Sequence, residues 1–212
     1  MSEQEFSIEC RRCPRLAGFL DQVAERYPDY HARPVAPFGD DDARLLIVGL
    51  APGMHGANAT GRPFTGDFAG ILLYQTLFDL GLASQPDATA IDDGLELHGC
   101  RITNAVKCLP PENKPTGSEI DTCNDYLAAE LGRLPDSSVV FALGTIAHRA
   151  VLKSQKCKLS AFPFAHGAEH RLEKFYLVDS YHCSRYNTQT RRLNAGMFLA
   201  VLGRAKALAG LA

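Results

Sequence analysis

Apolar and polar positions divide the chain into alternating strand-like and helix-like stretches. Leu16, Phe19, Leu20 and Val23 recur at helical spacing after Pro14, which predicts a helix from there to about Arg26. Leu45–Val48 is a short apolar run of strand length. A helix is predicted over about 68–80, with Ile71, Leu72, Leu77 and Leu80 turned to a core. Residues 84–94 are polar and turn-rich, the pattern of a surface loop. A second strand is expected from Gly99 to near Asn104. Three prolines within Lys107–Pro115 then exclude regular structure. A helix should start after Thr116 or Ser118, with Glu119 and Asp121 in its first turn. Residues 138–142 and 175–179 read as a third and a fourth strand, with a short helix from Gly144–Thr145 through Leu152 between them and an irregular stretch over 153–170. The last helix is expected over about 188–208, with Leu193, Met197 and Val201 on one face.

Strands alternating with helices imply an α/β fold of three layers around a central four-stranded parallel sheet, joined by right-handed crossovers. Ligands in such sheets sit beyond the carboxyl ends of the strands. The stretch Gly49–Asp67, the Asn104 region, Gly144 and His182 all fall at such ends and should converge on one rim. The longest of them, Gly49–Asp67, holds five glycines and two prolines, so its backbone can approach a ligand closely. It matches neither a P-loop nor a clean G-x-G-x-x-G. What it offers is one aromatic, Phe64, and one carboxylate, Asp67, which suits a flat, neutral ligand with its reacting centre near the acid.

Length and composition narrow the picture. The 212 residues suit a single domain over 1–212, and 46% hydrophobic content can fill its core. No apolar run reaches the ~20 residues of a membrane span. The polar start, Met-Ser-Glu-Gln-Glu-Phe, has no secretory pattern, so a cytoplasmic protein is expected. A net charge of −2 demands a local basic patch for any nucleic-acid role. Seven cysteines in this setting favour metal, cluster or free thiols over disulfides. Cys10 and Cys13 form a C-x-x-C pair; Cys108 in the proline-rich loop and Cys123 in the next helix can face it. Four thiolates suit tetrahedral zinc or a [4Fe–4S] cluster. Cys100 and Cys157 read as core or surface thiols.

Each candidate has a plain structural use as well. Asp67 is placed to cap the helix at Phe68, and the same position faces the rim. Phe64 could be a core anchor, Asn104 a strand-end cap, and His182 a structural histidine with Ser184 and Asn187 beside it. Arg185, Arg191 and Arg192 fit either a solvated face or phosphate contacts. His55 and His166 lie in glycine-containing loops and are expected at the cavity.

In Cys10-x-x-Cys13, the Gly49–Asp67 loop with its Arg62-Pro-Phe-Thr-Gly-Asp67 ending, Thr103-Asn-Ala-Val-Lys-Cys-Leu-Pro-Pro111, Gly144-Thr145, Phe164-Ala-His-Gly167 and His182-x-Ser-Arg-x-Asn187-x-Gln-Thr190, the sequence resembles a family 5 uracil-DNA glycosylase over nearly its whole length. The resemblance implies a monofunctional DNA glycosylase that flips uracil, or another deaminated base such as hypoxanthine, out of the duplex and hydrolyses its N-glycosidic bond. Phe64 would stack on the base and Asn104 would bond its polar edge. Ala51, Gly53, Ser184 and Asn187 would complete the substrate site, and Arg185 and Arg191 would contact DNA. Asp67 would act on the attacking water or the cationic sugar, and His182 would donate to the departing base. Cys10, Cys13, Cys108 and Cys123 would hold a structural [4Fe–4S] cluster. Damaged DNA is the implied partner, a monomer the implied state, and the nucleoid the implied place of work. No motif lysine is placed as a Schiff-base nucleophile, so lyase activity is not expected. Two positions depart from the pattern: Cys183 stands where the family usually has Pro, which frees the loop backbone, and Met54 replaces a smaller residue and should narrow the pocket. Rival readings are a glycosylase for another main lesion, an inactive lesion-binding protein, and an iron–sulfur electron carrier.

Overall fold

The computed structural model describes residues 6–211. Of the polar N-terminal stretch read above for a secretory pattern, residues 1–5 therefore lie outside the described residues. In chain order the elements are α1 (Pro14–Arg26), β1 (Phe38–Gly39), β2 (Leu45–Gly49), α2 (Ala57–Thr60), α3 (Phe68–Asp79), β3 (Cys100–Asn104), α4 (Gly117–Arg133), β4 (Val139–Leu143), α5 (Thr145–Ser154), β5 (Glu169–Arg171), β6 (Tyr176–Ser180), α6 (Arg185–Gln189) and α7 (Ala195–Leu208).

The six strands form one sheet in the order β1-β3-β2-β4-β6-β5. The inner four, β3-β2-β4-β6, are the expected parallel strands. Two short antiparallel strands, β1 and β5, were not expected and close the edges. Successive strand residues point to opposite faces, and both faces are covered. Leu45, Ile47, Ile102, Phe141 and Val178 meet α3 and α7 through Leu73, Tyr74, Leu77, Phe198 and Leu202. Leu46, Val48, Val140, Ala142 and Leu177 meet α4 and α5 through Leu127, Leu131, Ala147 and Val151. Three layers result. A third cluster packs Leu16, Leu20 and Val23 of α1 against Val106, Cys108, Leu109, Cys123 and Tyr126.

Three helix readings need correction. In α3 the core takes Leu73, Tyr74 and Leu77, and Ile71, placed in the core above, is 66% exposed. α4 starts at Gly117 behind a Thr116–Glu119 capping box, which leaves Asp121 outside the first turn. The expected final helix is two, α6 and α7. Arg191 adopts φ +58, and Asn194 caps α7 by accepting from Met197 N at 2.9 Å. The buried face of α7 is then Phe198, Leu202 and Ala205, while Leu193 is buried ahead of the helix. No helix among the described residues is long and apolar enough to cross a membrane.

Candidate active site

Parallel pairing aligns the ends of β2 and β3, with Gly49 opposite Asn104. Beyond them opens a cavity of about 430 Å³, lined among others by Ala51, Gly53, Phe64, Asp67, Asn104, His182, Ser184 and Arg185. The expected convergence on one rim is therefore present. Glycine at 49 lets the two site side chains sit where they do, because a Cβ would stand 2.4 Å from Asn104 Oδ1 and 2.7 Å from the Phe64 ring and displace them. The segment after Asn104 is tied to the same loop: Ala105 N donates to Gly49 O and Val106 N to Leu50 O, both at 2.9 Å.

Asp67 caps α3, its Oδ1 accepting from Gly70 N at 2.8 Å. The cap and the cavity wall are the same carboxylate. Burial raises its pKa, opposed by the backbone N–H groups of Gly70 and Ala69. Phe64 lies just upstream with its backbone in the left-handed region, φ +57, a conformation that costs an L-residue roughly 1–2 kcal/mol. Surrounding contacts hold it there. The Tyr74 hydroxyl donates to Pro63 O at 2.6 Å, and the first turn of α3 passes so close that a Cβ at Gly70 would meet Phe64 O at 1.8 Å.

Arg62 secures the loop from behind. It is 2% exposed, and its Nη1 and Nη2 donate to the two oxygens of Asp93 at 2.8 and 2.6 Å. Its Nε donates to Thr65 Oγ1 at 2.8 Å. Asp93 also accepts from the backbone of Thr89, Ala90 and Leu95. The Arg62 guanidinium holds the Asp93 carboxyl well below the usual carboxylate range. The pair is missed by pattern reading, which gave the 84–94 segment no role beyond the surface.

Two cavity-lining residues carry a buried polar atom with no protein partner: Asn104 at Oδ1 and His182 at Nδ1. The His182 ring lies 6.0 Å from the Phe64 ring, tilted by 29°. Burial lowers its pKa to about 4, so the imidazole is neutral at pH 7. Asn187 stands behind this loop and not on the main cavity wall; its Nδ2 donates to His182 O at 2.8 Å. Ser184 caps α6 and lines the cavity.

Arg191 is exposed and off the cavity wall, a place open to solvent or phosphate, whereas Arg185 lines the cavity and lies 5.0 Å over the Phe68 ring. Arg192 lies over Tyr181 at 4.4 Å. Other positions differ from expectation. His55 and His166 do not line the main cavity: His55 Nδ1 is 2.8 Å from the Tyr30 hydroxyl, and His166 Nδ1 accepts from Tyr181 N. Met54 packs on the α1 cluster and leaves the pocket width alone. Cys183 is fully buried in the core, where burial pushes its thiol up. Leu50, Ala57, Phe68, Ala69 and Asn113 also line the cavity; nothing in their sequence pattern separates them from ordinary loop and helix positions.

The four cysteines singled out by spacing do meet. Cys10, Cys13, Cys108 and Cys123 surround one small cavity between α1, α4 and the proline-rich loop. Lys107 N donates to Cys123 Sγ and the Tyr126 hydroxyl to Cys10 Sγ, both at 3.3 Å. Cys100 is buried and Cys157 half-buried, both away from this group.

Comparison with known proteins agrees with this geometry. Residues 36–206 match the family model of the uracil DNA glycosylase superfamily. A type-5 uracil-DNA glycosylase of Thermus thermophilus is 50% identical over 208 residues, spanning 95% of this chain and 94% of the relative. Its counterpart in Pyrobaculum aerophilum is 44% identical, spanning 96% and 90%. Among solved structures, Pedobacter heparinus SMUG2 shares the fold, with a TM-score of 0.52 at 16% identity over 91% of this chain and 85% of that one. Matched over most of its length by model and relatives alike, the chain belongs to the uracil DNA glycosylase superfamily, among its type-5 members.

Proposed function

We propose that this protein is a monofunctional DNA glycosylase that excises uracil, and with it hypoxanthine, from DNA to initiate base excision repair. The observation that carries the reading is the meeting, in one cavity, of the Asp67 carboxylate, the Phe64 ring and the unpartnered atoms of Asn104 and His182. A base stacked in a duplex is out of reach of such a pocket and has to be flipped into it. Phe64 then offers a stacking face. Asn104 Oδ1, an acceptor, pairs with an N–H on the base edge. Uracil and hypoxanthine both present an N–H beside a carbonyl, whereas cytosine and adenine present a lone pair at that place and are repelled. The same orphaned acceptor therefore separates uracil from cytosine and hypoxanthine from adenine, though not from thymine or guanine, which carry the same N–H edge.

As the N-glycosidic bond breaks, its electron pair goes to the base and positive charge develops on the sugar. The neutral His182 ring donates a hydrogen bond to the departing base. The Asp67 carboxylate stabilises the cationic sugar and orients the water whose oxygen attacks C1′, taking up or relaying its proton. Arg185 at the cavity mouth contacts the DNA backbone, and the protein acts as a monomer on the nucleoid.

Cys10, Cys13, Cys108 and Cys123 are proposed to hold a [4Fe–4S] cluster. Their convergence and the two donors aimed at sulfur support this reading. When bound, the cluster supplies no group to base release; it fixes the loop that follows Asn104. Iron and sulfide analysis of anaerobically purified protein, expected to give about four irons per chain, tests it.

Base release from matched duplexes carrying uracil, hypoxanthine or no lesion tests the activity. Release from both lesions, falling by roughly a hundredfold or more in Asp67→Ala while DNA binding persists, is expected. No release from any duplex would leave an inactive lesion-binding protein as the reading.

A further inference from the structure

His148 on α5, His170 on β5 and Asp179 on β6 form a buried group apart from the chemistry above. One ligand atom from each lies within 4.8 Å of the others. The Asp179 side chain is fully buried and that of His170 is 12% exposed. His148 is bracketed: its Nδ1 is 2.8 Å from Asp179 Oδ1 and its Nε2 is 2.9 Å from Phe162 O. A carbonyl oxygen only accepts, so Nε2 carries a hydrogen. Between Nδ1 and the carboxylate there is then one place, for a second proton or for a cation.

The remaining atoms decide between them. Asp179 Oδ2 and His170 Nε2 lie 3.3 Å apart, both buried, and neither makes a hydrogen bond to the other or to any other group. A buried polar atom left in that state costs about 1–3 kcal/mol. A second proton on His148 leaves these two atoms with no more than their 3.3 Å contact; a cation among the three side chains gives both a ligand bond, and Nδ1 as well. The Nε2–H on a backbone carbonyl is the contact that orients metal-ligating imidazoles. Two imidazoles with one carboxylate suit zinc and its transition-metal neighbours, while calcium and magnesium take oxygen donors. The rings of Phe164 and Phe162 stand edge-on to His148 and His170, at 5.5 and 5.7 Å, and form an apolar collar.

We propose that His148, His170 and Asp179 bind a transition metal of the zinc class, with a water that enters past His170 in the fourth position. The metal staples α5, the β5–β6 hairpin and the Phe162–Phe164 loop together, on the strand whose end leads into His182. Its nitrogen and oxygen donors make it chemically distinct from the cysteine quartet.

Cobalt titration of the purified, full-length, iron-loaded protein tests this. One equivalent of Co²⁺ is expected, with d–d absorption but no thiolate-to-cobalt charge-transfer band, and with a rise in Tm. In His170→Gln the cobalt signal and the Tm rise are both lost, while circular dichroism and iron content are unchanged. Absence of a thiolate-free cobalt spectrum at millimolar metal, or equal uptake by His170→Gln, overturns the proposal in favour of a proton held between His148 and Asp179. The stoichiometry and spectrum of the wild type need no variant, so they decide the matter even if His170→Gln fails to fold.

Discussion

The segment from Gly49 to Asp67 has two sides that treat polar atoms in opposite ways. On the cavity side, the buried Asn104 Oδ1 and His182 Nδ1 are unpartnered and Asp67 keeps its carboxylate in a desolvated place. On the far side every guanidinium nitrogen of Arg62 is engaged, by Asp93 or Thr65, and Asp93 collects three backbone donors besides. One side is unfinished without a ligand; the other is complete in the free protein. Substitutions should sort accordingly, into those that remove activity at little cost in stability and those that do the reverse.

The largest expected effect is on the cavity side. Asp67→Asn keeps the helix cap, since Asn caps as well as Asp, yet base release should fall by about 10²–10⁴-fold. Its Tm should stay level or rise. The folded pKa of Asp67 is raised, so the native state holds the proton better than the unfolded chain, and stability declines as pH rises through that window. A Tm that drops together with activity would show that the carboxylate is mainly structural.

His182→Gln comes next, with a loss of about 10²–10³-fold in single-turnover release. The pH profile sharpens this. Burial lowers the His182 pKa from 6.5 to about 4, so the stability it contributes is complete above 6.5 and is lost as pH falls toward 4. The sign is opposite to that of Asp67. Because the Asp67 carboxylate must also be ionised for base release, stability isolates the histidine: urea unfolding of wild type should weaken relative to His182→Gln as pH falls from 6.5 toward 4, and an unchanged difference would mean an ordinary, solvated imidazole.

On the far side, Asp93→Ala leaves Arg62 buried and unpaired, which costs about 3–5 kcal/mol in urea unfolding. Folded molecules should still release base at a rate within a few-fold of wild type, with a higher KM as Phe64 loosens. If the rate collapses while stability holds, the two sides are not separate. The smallest change is Thr116→Ala, which opens the capping box of α4 for about 1 kcal/mol and leaves base release alone.

How far the sequence reveals this arrangement depends on the range of each interaction. The four parallel strands and the Asp67 cap follow from runs and caps a few residues long. The meeting of Asp67, Asn104 and His182 follows from the rule that strand ends share a rim. The Arg62–Asp93 pair does not follow, because its partners lie in two loops with no periodic signal joining them. Asn187 enters the substrate site through the family resemblance and its place beside His182, and only the fold shows its amide donating to the backbone of His182. The break between α6 and α7 is hidden because Leu193, ahead of the Asn194 cap, keeps helical spacing with Met197 and Val201 inside α7.

The two edge strands have a bearing on how the protein survives at high concentration. A parallel sheet that ended at β3 or β6 would offer a five-residue ladder of unpaired backbone groups to any passing chain. Here β1 contributes two residues and β5 three, and the outer β5 reads Glu169-His-Arg171. Neither edge is long enough or apolar enough to template another strand. These short strands, invisible to hydrophobic patterning, are what keep one copy of the sheet from recruiting the next.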